Sequence, residues 1–150
     1  MKKIILDGLE ISNEDKICFF AGLNILETAE QTLEVAFNLR DICSSLENPF
    51  IFKASFDKAN RSSINSYRGP GISNAIEIFK ELKKENIKIV SDVHEIGQIS
   101  LFQEFIDIIQ IPAFLCRQTD LIKEACETKK LINIKKGQFL SPNQMINIVE

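Results

Sequence analysis

The sequence predicts an α/β fold in which a parallel sheet is covered by helices. Three observations carry that expectation. Runs rich in Ile, Leu, Val and Phe recur five times, at 17–22, 50–53, 87–95, 107–111 and 131–135. Segments of helical periodicity separate them. The runs are almost unbroken in apolar residues, as in parallel strands buried on both faces. Two layouts satisfy the pattern, an open doubly wound sheet and a (β/α)8 barrel. No GxGxxG follows the first strand and no GxxxxGK[ST] occurs. That weakens a nucleotide-binding version of the open sheet.

Each element has a local reason. Residues 3–6 and 9–11 flank Asp7-Gly8, which predicts a small N-terminal hairpin within residues 1–12. Residues 17–22, ICFFAG, read as a buried strand, with Asn24 beyond its carboxyl end. From Thr28 the period changes. Val35, Leu39, Ile42 and Leu46 fall on one helical face, and Asn48-Pro49 ends the helix. Residues 50–53 form the next strand. A helix over 73–85 follows, with Ile72, Ile76, Phe79 and Leu82 as its apolar stripe. Residues 87–95 are a strand, 96–105 a short apolar helix, and 107–111 a strand that Pro112 stops. Thr119 or Asp120 suits the cap of a helix running to Thr128. LINIK, 131–135, is the fifth core strand.

Ser141-Pro142-Asn143-Gln144 reads as a capping box with Pro at the first helical position. A helix is therefore expected from 142, with Met145, Ile146 and Val149 on its buried side. The chain stops early in that helix and reads as one domain over 1–150 cut short. A barrel would need further β/α units.

Composition narrows the function. With 150 residues and 45% apolar side chains, the chain can bury a core and is not expected to be disordered. The net charge of −3, from 18 basic and 21 acidic residues, gives no support for bulk nucleic-acid binding. No apolar run is long enough to span a membrane. Asp7 and Glu10 follow Lys2 and Lys3 too closely for a secretory signal. Cysteines 18, 43, 116 and 126 form no CxxC and have no histidine at motif spacing. They read as small buried hydrophobes in a reducing cytoplasm.

Against that acidic background residues 50–71, FIFKASFDKANRSSINSYRGPG, stand apart. An apolar strand empties into a loop holding Lys53, Ser55, Asp57, Lys58, Asn60, Arg61, Ser62, Ser63 and Arg68. Its amines and guanidiniums suit carboxylate or phosphoryl oxygens. A solvated basic loop is the plain alternative. Polar residues recur at the carboxyl ends of the other strands, where α/β folds bind ligands. They are Asn24, Asp92 with His94, Gln110, and Lys135 followed by Lys136 and Gln138. Each has a structural alternative. Asn24 suits a helix cap, and His94 suits a hydrogen-bond partner of Asp92. Gln110 can satisfy backbone near Pro112, and Lys135 and Lys136 can face solvent. Two ligands do not make a metal site, and no GxSxG elbow occurs. An anion cradle working by orientation and electrostatics is the expectation.

Four segments carry a family resemblance: FKASFDKANRSSINSYRGPG at 52–71, SDVHE at 91–95, IQIPAFLCRQTDL at 109–121 and INIKKGQF at 132–139. In this order they resemble 3-deoxy-D-manno-octulosonate 8-phosphate synthases, over essentially the whole chain. The synthases of the shikimate and sialic acid branches share the barrel and the phosphoenolpyruvate chemistry. They do not usually show KANRSS and PAFLCRQTDL together. The resemblance implies a partial (β/α)8 barrel: an N-terminal hairpin, then five β/α units over 17–150 with the last helix unfinished. It implies a cytoplasmic enzyme that joins phosphoenolpyruvate to D-arabinose 5-phosphate for lipopolysaccharide synthesis, and a homotetramer when whole. An inactive or split fragment, or a synthase of the shikimate or sialic acid branch, is the alternative.

Residue by residue, the resemblance places Lys58, Lys135 and Gln138 on phosphoenolpyruvate and Lys53 at the catalytic centre, with Ser55 expected among the substrate-binding residues. Asn60, Arg61 and Ser62 fall on the sugar phosphate, with Arg61 and Ser62 reaching a neighbouring subunit's site. Asp92, His94 and Gln110 match further active-centre residues. Ala113 and Phe114 match the pocket lining and subunit contact. Asn24 stands where one class of the family has a metal-binding cysteine, which implies no metal cofactor. Thr28 and Ile96 depart mildly from the family's usual serine and proline. The larger departure is length, because a distal arginine, a histidine and late acidic groups of the family fall beyond residue 150.

Overall fold

The computed structural model describes residues 3–150. It has two compact units, the first running to Val90 and the second Ser91–Glu150.

The first unit opens with the expected hairpin, β1 (Ile4–Leu6) against β2 (Leu9–Ile11), antiparallel with Leu6 opposite Leu9. Asp7 and Gly8 both take positive φ, 45° and 84°, the geometry that a two-residue hairpin turn demands. β3 (Phe19–Gly22) pairs in parallel with β4 (Phe50–Lys53), and Lys53 of β4 registers with Val90 of β5 (Ile89–Asp92). β3 starts two residues later than expected and is not buried. Phe19 and Phe20 are each 40% exposed. Its sheet neighbour is β4 alone, so one side of the strand lacks cover.

α1 (Ala29–Ser45) starts as its sequence asks, with Thr28 Oγ1 accepting from Gln31 N at 3.2 Å. Thr28 thus fills the capping role as a serine would. Its buried face differs from the expected one. Thr32, Ala36 and Cys43 are buried, whereas Ile42 and Leu46 are 56% and 62% exposed. α1 packs on β3, β4 and α2 (Ile72–Lys84) through small side chains. α2 likewise buries Ala75, Ile78, Phe79 and Leu82, with Ile72 and Ile76 only half-buried.

The second unit takes in the end of β5, then α3 (Ile96–Phe102), β6 (Ile108–Ile111), α4 (Thr119–Glu127) and β7 (Leu131–Ile134). Just past β5, the Val93 N–H donates to the Gln110 carbonyl at 3.1 Å. β6 and β7 are parallel, with Gln110 opposite Asn133. β6 is buried throughout, while β7 is half-buried along its length. In both units, strands successive in the chain are neighbours. Among the described residues no reversal of strand order occurs, which is the barrel pattern and not the doubly wound one. The barrel is not closed.

Two local expectations change. A 3-10 turn, Ala113–Leu115, follows Pro112, so α4 begins at Thr119 with Gln118 at the cap position. The segment after Ser141 starts as a 3-10 turn, Pro142–Met145, before α5 (Ile146–Val149). The capping box is present, with Ser141 N–H donating to Gln144 Oε1 at 2.8 Å. Its expected buried side is not buried. Ile146 is exposed and Val149 is 76% exposed, since α5 packs chiefly on the 3-10 turn before it.

Candidate active site

In the first unit the functional side chains gather at the carboxyl end of β4. Lys53 is its last residue, and Ser55 follows two residues on, fully buried. Lys53 Nζ and Lys58 Nζ each donate to Ser55 Oγ at 2.9 Å. Both lone pairs of that hydroxyl are thereby engaged, and its proton is left to point toward a third group. Two ammonium groups sharing one oxygen lie no more than twice that distance apart. Positive charge is thereby concentrated at the carboxyl end of β4, as anion binding requires.

The backbone around this cluster is fixed from both sides. Leu23 N–H donates to the Lys53 carbonyl at 3.0 Å, and Leu26 N–H to the Ser55 carbonyl at 2.9 Å. The β3–α1 loop, which carries the exposed Asn24, is therefore laid along the end of β4. A Cβ on Gly22 would strike the Lys53 carbonyl oxygen. Only glycine allows this approach.

Residues 57–68 form a loop whose ends meet, the arrangement of an Ω-loop. Lys58 N–H donates to the Arg68 carbonyl at 2.8 Å, and the Arg68 guanidinium grips the Asp57 carboxylate with two nitrogens. Gly69, at φ 132°, leaves room for the Phe56 carbonyl that a side chain would exclude. Asn60, Arg61 and Ser62 are carried outward on this loop and are exposed. Arg61 Nε donates to the Tyr67 carbonyl at 3.0 Å, and Tyr67 Oη donates to the Leu26 carbonyl at 3.2 Å.

The second unit brings together a different set. Asp92 ends β5 buried, with its Oδ2 3.2 Å from His94 Nε2. The His94 N–H donates to Gln98 Oε1 at 2.8 Å, so the first turn of α3 holds the residue in place. Gln110 is buried, and its Oε1 accepts from Asn133 Nδ2 at 3.1 Å. Lys135 lies one residue past β7, where its N–H donates to the Ile111 carbonyl at 3.0 Å while its side chain is exposed. Gln138 is exposed and Ala113 half-buried. Lys136 turns away from any ligand role, because its Nζ donates to the carbonyls of Gly137 and Leu140 at 2.8 and 2.9 Å.

Tyr67 and Asn133 join the candidate residues. Asn133 carried a signal in the sequence, since it shares the two-residue phase of Lys135 along LINIK. Tyr67 carried none, because its partner Leu26 is 41 residues away. Among the described residues, no three His, Cys, Asp or Glu side chains are grouped to hold a metal ion. Among the same residues no helix is long and apolar enough to cross a membrane.

The family description "DAHP synthetase I family" matches residues 3–150. The chain belongs to that family. It is 51% identical over 150 residues to a 2-dehydro-3-deoxyphosphooctonate aldolase of Mannheimia haemolytica, covering 99% of this chain and 53% of that one. A protein of the same name from Pasteurella multocida is also 51% identical over 150 residues, with the same coverage. One from Bdellovibrio bacteriovorus is 48% identical, covering 99% of this chain and 52% of that one. The chain thus spans about half the length of the curated relatives it matches. The sequence resemblance and the family agree, and the open choice of layout falls to the barrel.

Proposed function

We propose that the whole protein condenses phosphoenolpyruvate with D-arabinose 5-phosphate and water. The products are 3-deoxy-D-manno-octulosonate 8-phosphate and inorganic phosphate, for lipopolysaccharide synthesis in the cytoplasm. The observation that carries the reading is the pair of ammonium groups on the buried Ser55 hydroxyl. Both substrates bear phosphate and one also bears carboxylate, so binding them requires concentrated positive charge. As the resemblance implies, Lys58, Lys135 and Gln138 take the anionic groups of phosphoenolpyruvate and Lys53 serves the catalytic centre. Asn60, Arg61 and Ser62 take the sugar phosphate. Asp92, held by His94, and Gln110, held by Asn133, orient the reacting groups. Ala113 lines the pocket. The whole protein is read as a homotetramer, with Arg61 and Ser62 reaching across subunits.

The reaction is read as metal-independent. Asn24 offers a neutral amide, a poor ligand for a transition metal beside a thiolate. Turnover of the whole protein is expected to survive EDTA. Loss of activity restored by zinc, manganese or iron would overturn this part.

The deciding experiment is phosphate release from phosphoenolpyruvate with either sugar. Faster turnover with D-arabinose 5-phosphate supports the proposal. A second reading is favoured by the wording of the family description, which points to the shikimate branch. Preference for D-erythrose 4-phosphate would select it.

A further inference from the structure

We infer that Tyr67 is a positioning residue that ties the guanidinium of Arg61 to the backbone beneath the two lysines. The inference rests on reading that cluster as an anion cradle. Tyr67 is the sole tyrosine of the sequence. Its hydroxyl donates to the carbonyl of Leu26, a fully buried residue. The N–H of Leu26 donates in turn to the Ser55 carbonyl. Ser55 holds both ammonium groups on its Oγ. On the other side, the Tyr67 carbonyl holds Arg61 Nε. One side chain and three residues' backbone thus link the cationic loop to the cationic strand end.

This link is separate from what folds the loop. The base is closed by the Lys58–Arg68 backbone bond and the Asp57–Arg68 ion pair. Tyr67 adds a tether from the far arm of the loop to the β3–α1 loop. An exposed arginine otherwise samples many rotamers, and anchoring its Nε directs the terminal N–H groups before an anion arrives. The planar guanidinium then offers a fixed fork to phosphate oxygens.

Tyr67→Phe keeps the ring and removes the hydroxyl. Two measurements test it on the protein: amide hydrogen exchange over residues 57–68, and titration with D-arabinose 5-phosphate and inorganic phosphate. Exchange at residues 60–67 is expected to rise about tenfold, with the Lys58 amide unchanged. The Kd for the sugar phosphate is expected to rise about fivefold. Unchanged exchange and affinity would overturn the inference. A loosened loop with wild-type affinity would also overturn it, because the hydroxyl would then be structural only. Failure of the wild-type protein to bind either anion would instead bring down the cradle reading, and the positioning role with it.

Discussion

Ser55 is the residue on which the first cluster turns, since two cations share its hydroxyl oxygen. Ser55→Ala removes both bonds at once and leaves the ammonium groups without their shared acceptor. Bonds to charged groups contribute about 1.5–3 kcal/mol, so on the proposed function the whole protein's affinity for phosphoenolpyruvate should fall roughly tenfold to a hundredfold. Equilibrium titration checks this, and wild-type affinity in the alanine variant would remove Ser55 from the site. A second residue has a pH signature. Burial, and after it the neighbouring Cys43, pushes the Cys18 thiol above its usual range. The fold therefore favours the neutral thiol. Its contribution is fully present below the ordinary thiol pKa and is lost as pH rises through the folded-state value. The denaturation midpoint should drop at alkaline pH, and Cys18→Ser should flatten that drop. Denaturant titrations across the alkaline range give the comparison. At this scale the candidate residues were largely legible, because polar side chains at strand ends are conspicuous after apolar runs. Tyr67 was not, since a bond between residues far apart in the chain leaves no local pattern.

Among the elements, α1 separates what periodicity reveals from what it hides. The sequence marks a helix after Thr28, and the helix forms there. The choice of face fails because the sheet beneath leaves room for Ala36 and Thr32 and not for Ile42 and Leu46. Spacing specifies a helix's repeat, whereas the partner surface decides which repeat is buried. β3 fails for a related reason. Its ICFFAG composition asks for burial, but a strand with a neighbour on one side keeps part of its surface bare. The hairpin and β4 were legible because turn chemistry and position in the sheet agree there. Ala36 is fully buried where α1 meets its neighbours. Ala36→Leu should overpack that contact and cost about 1–3 kcal/mol. Thermal unfolding would record the loss, and an unchanged Tm would mean that the face is looser than its burial implies.

On the scale of the whole molecule, β3 and β7 each have one sheet neighbour among the described residues, and the curated relatives are nearly twice as long. Phe19 and Phe20 lie exposed on the first of these strands. Unpaired parallel edges invite association. The 150-residue chain by itself is expected to sediment as a dimer or larger, with its mass falling on dilution. A stable monomer at micromolar concentration would show that these edges are already protected. The α/β class was legible in the alternation of strands and helices, but the choice of a barrel over a doubly wound sheet required strand order. The Ω-loop sealed at Asp57, Lys58 and Arg68 has an evolutionary consequence. A segment closed at its base behaves as a cassette. Residues at its tip are free to drift, lengthen or be exchanged without disturbing strand register. Descendants of such a chain can change what the loop tip recognises by rewriting a dozen codons, with the rest of the gene left alone.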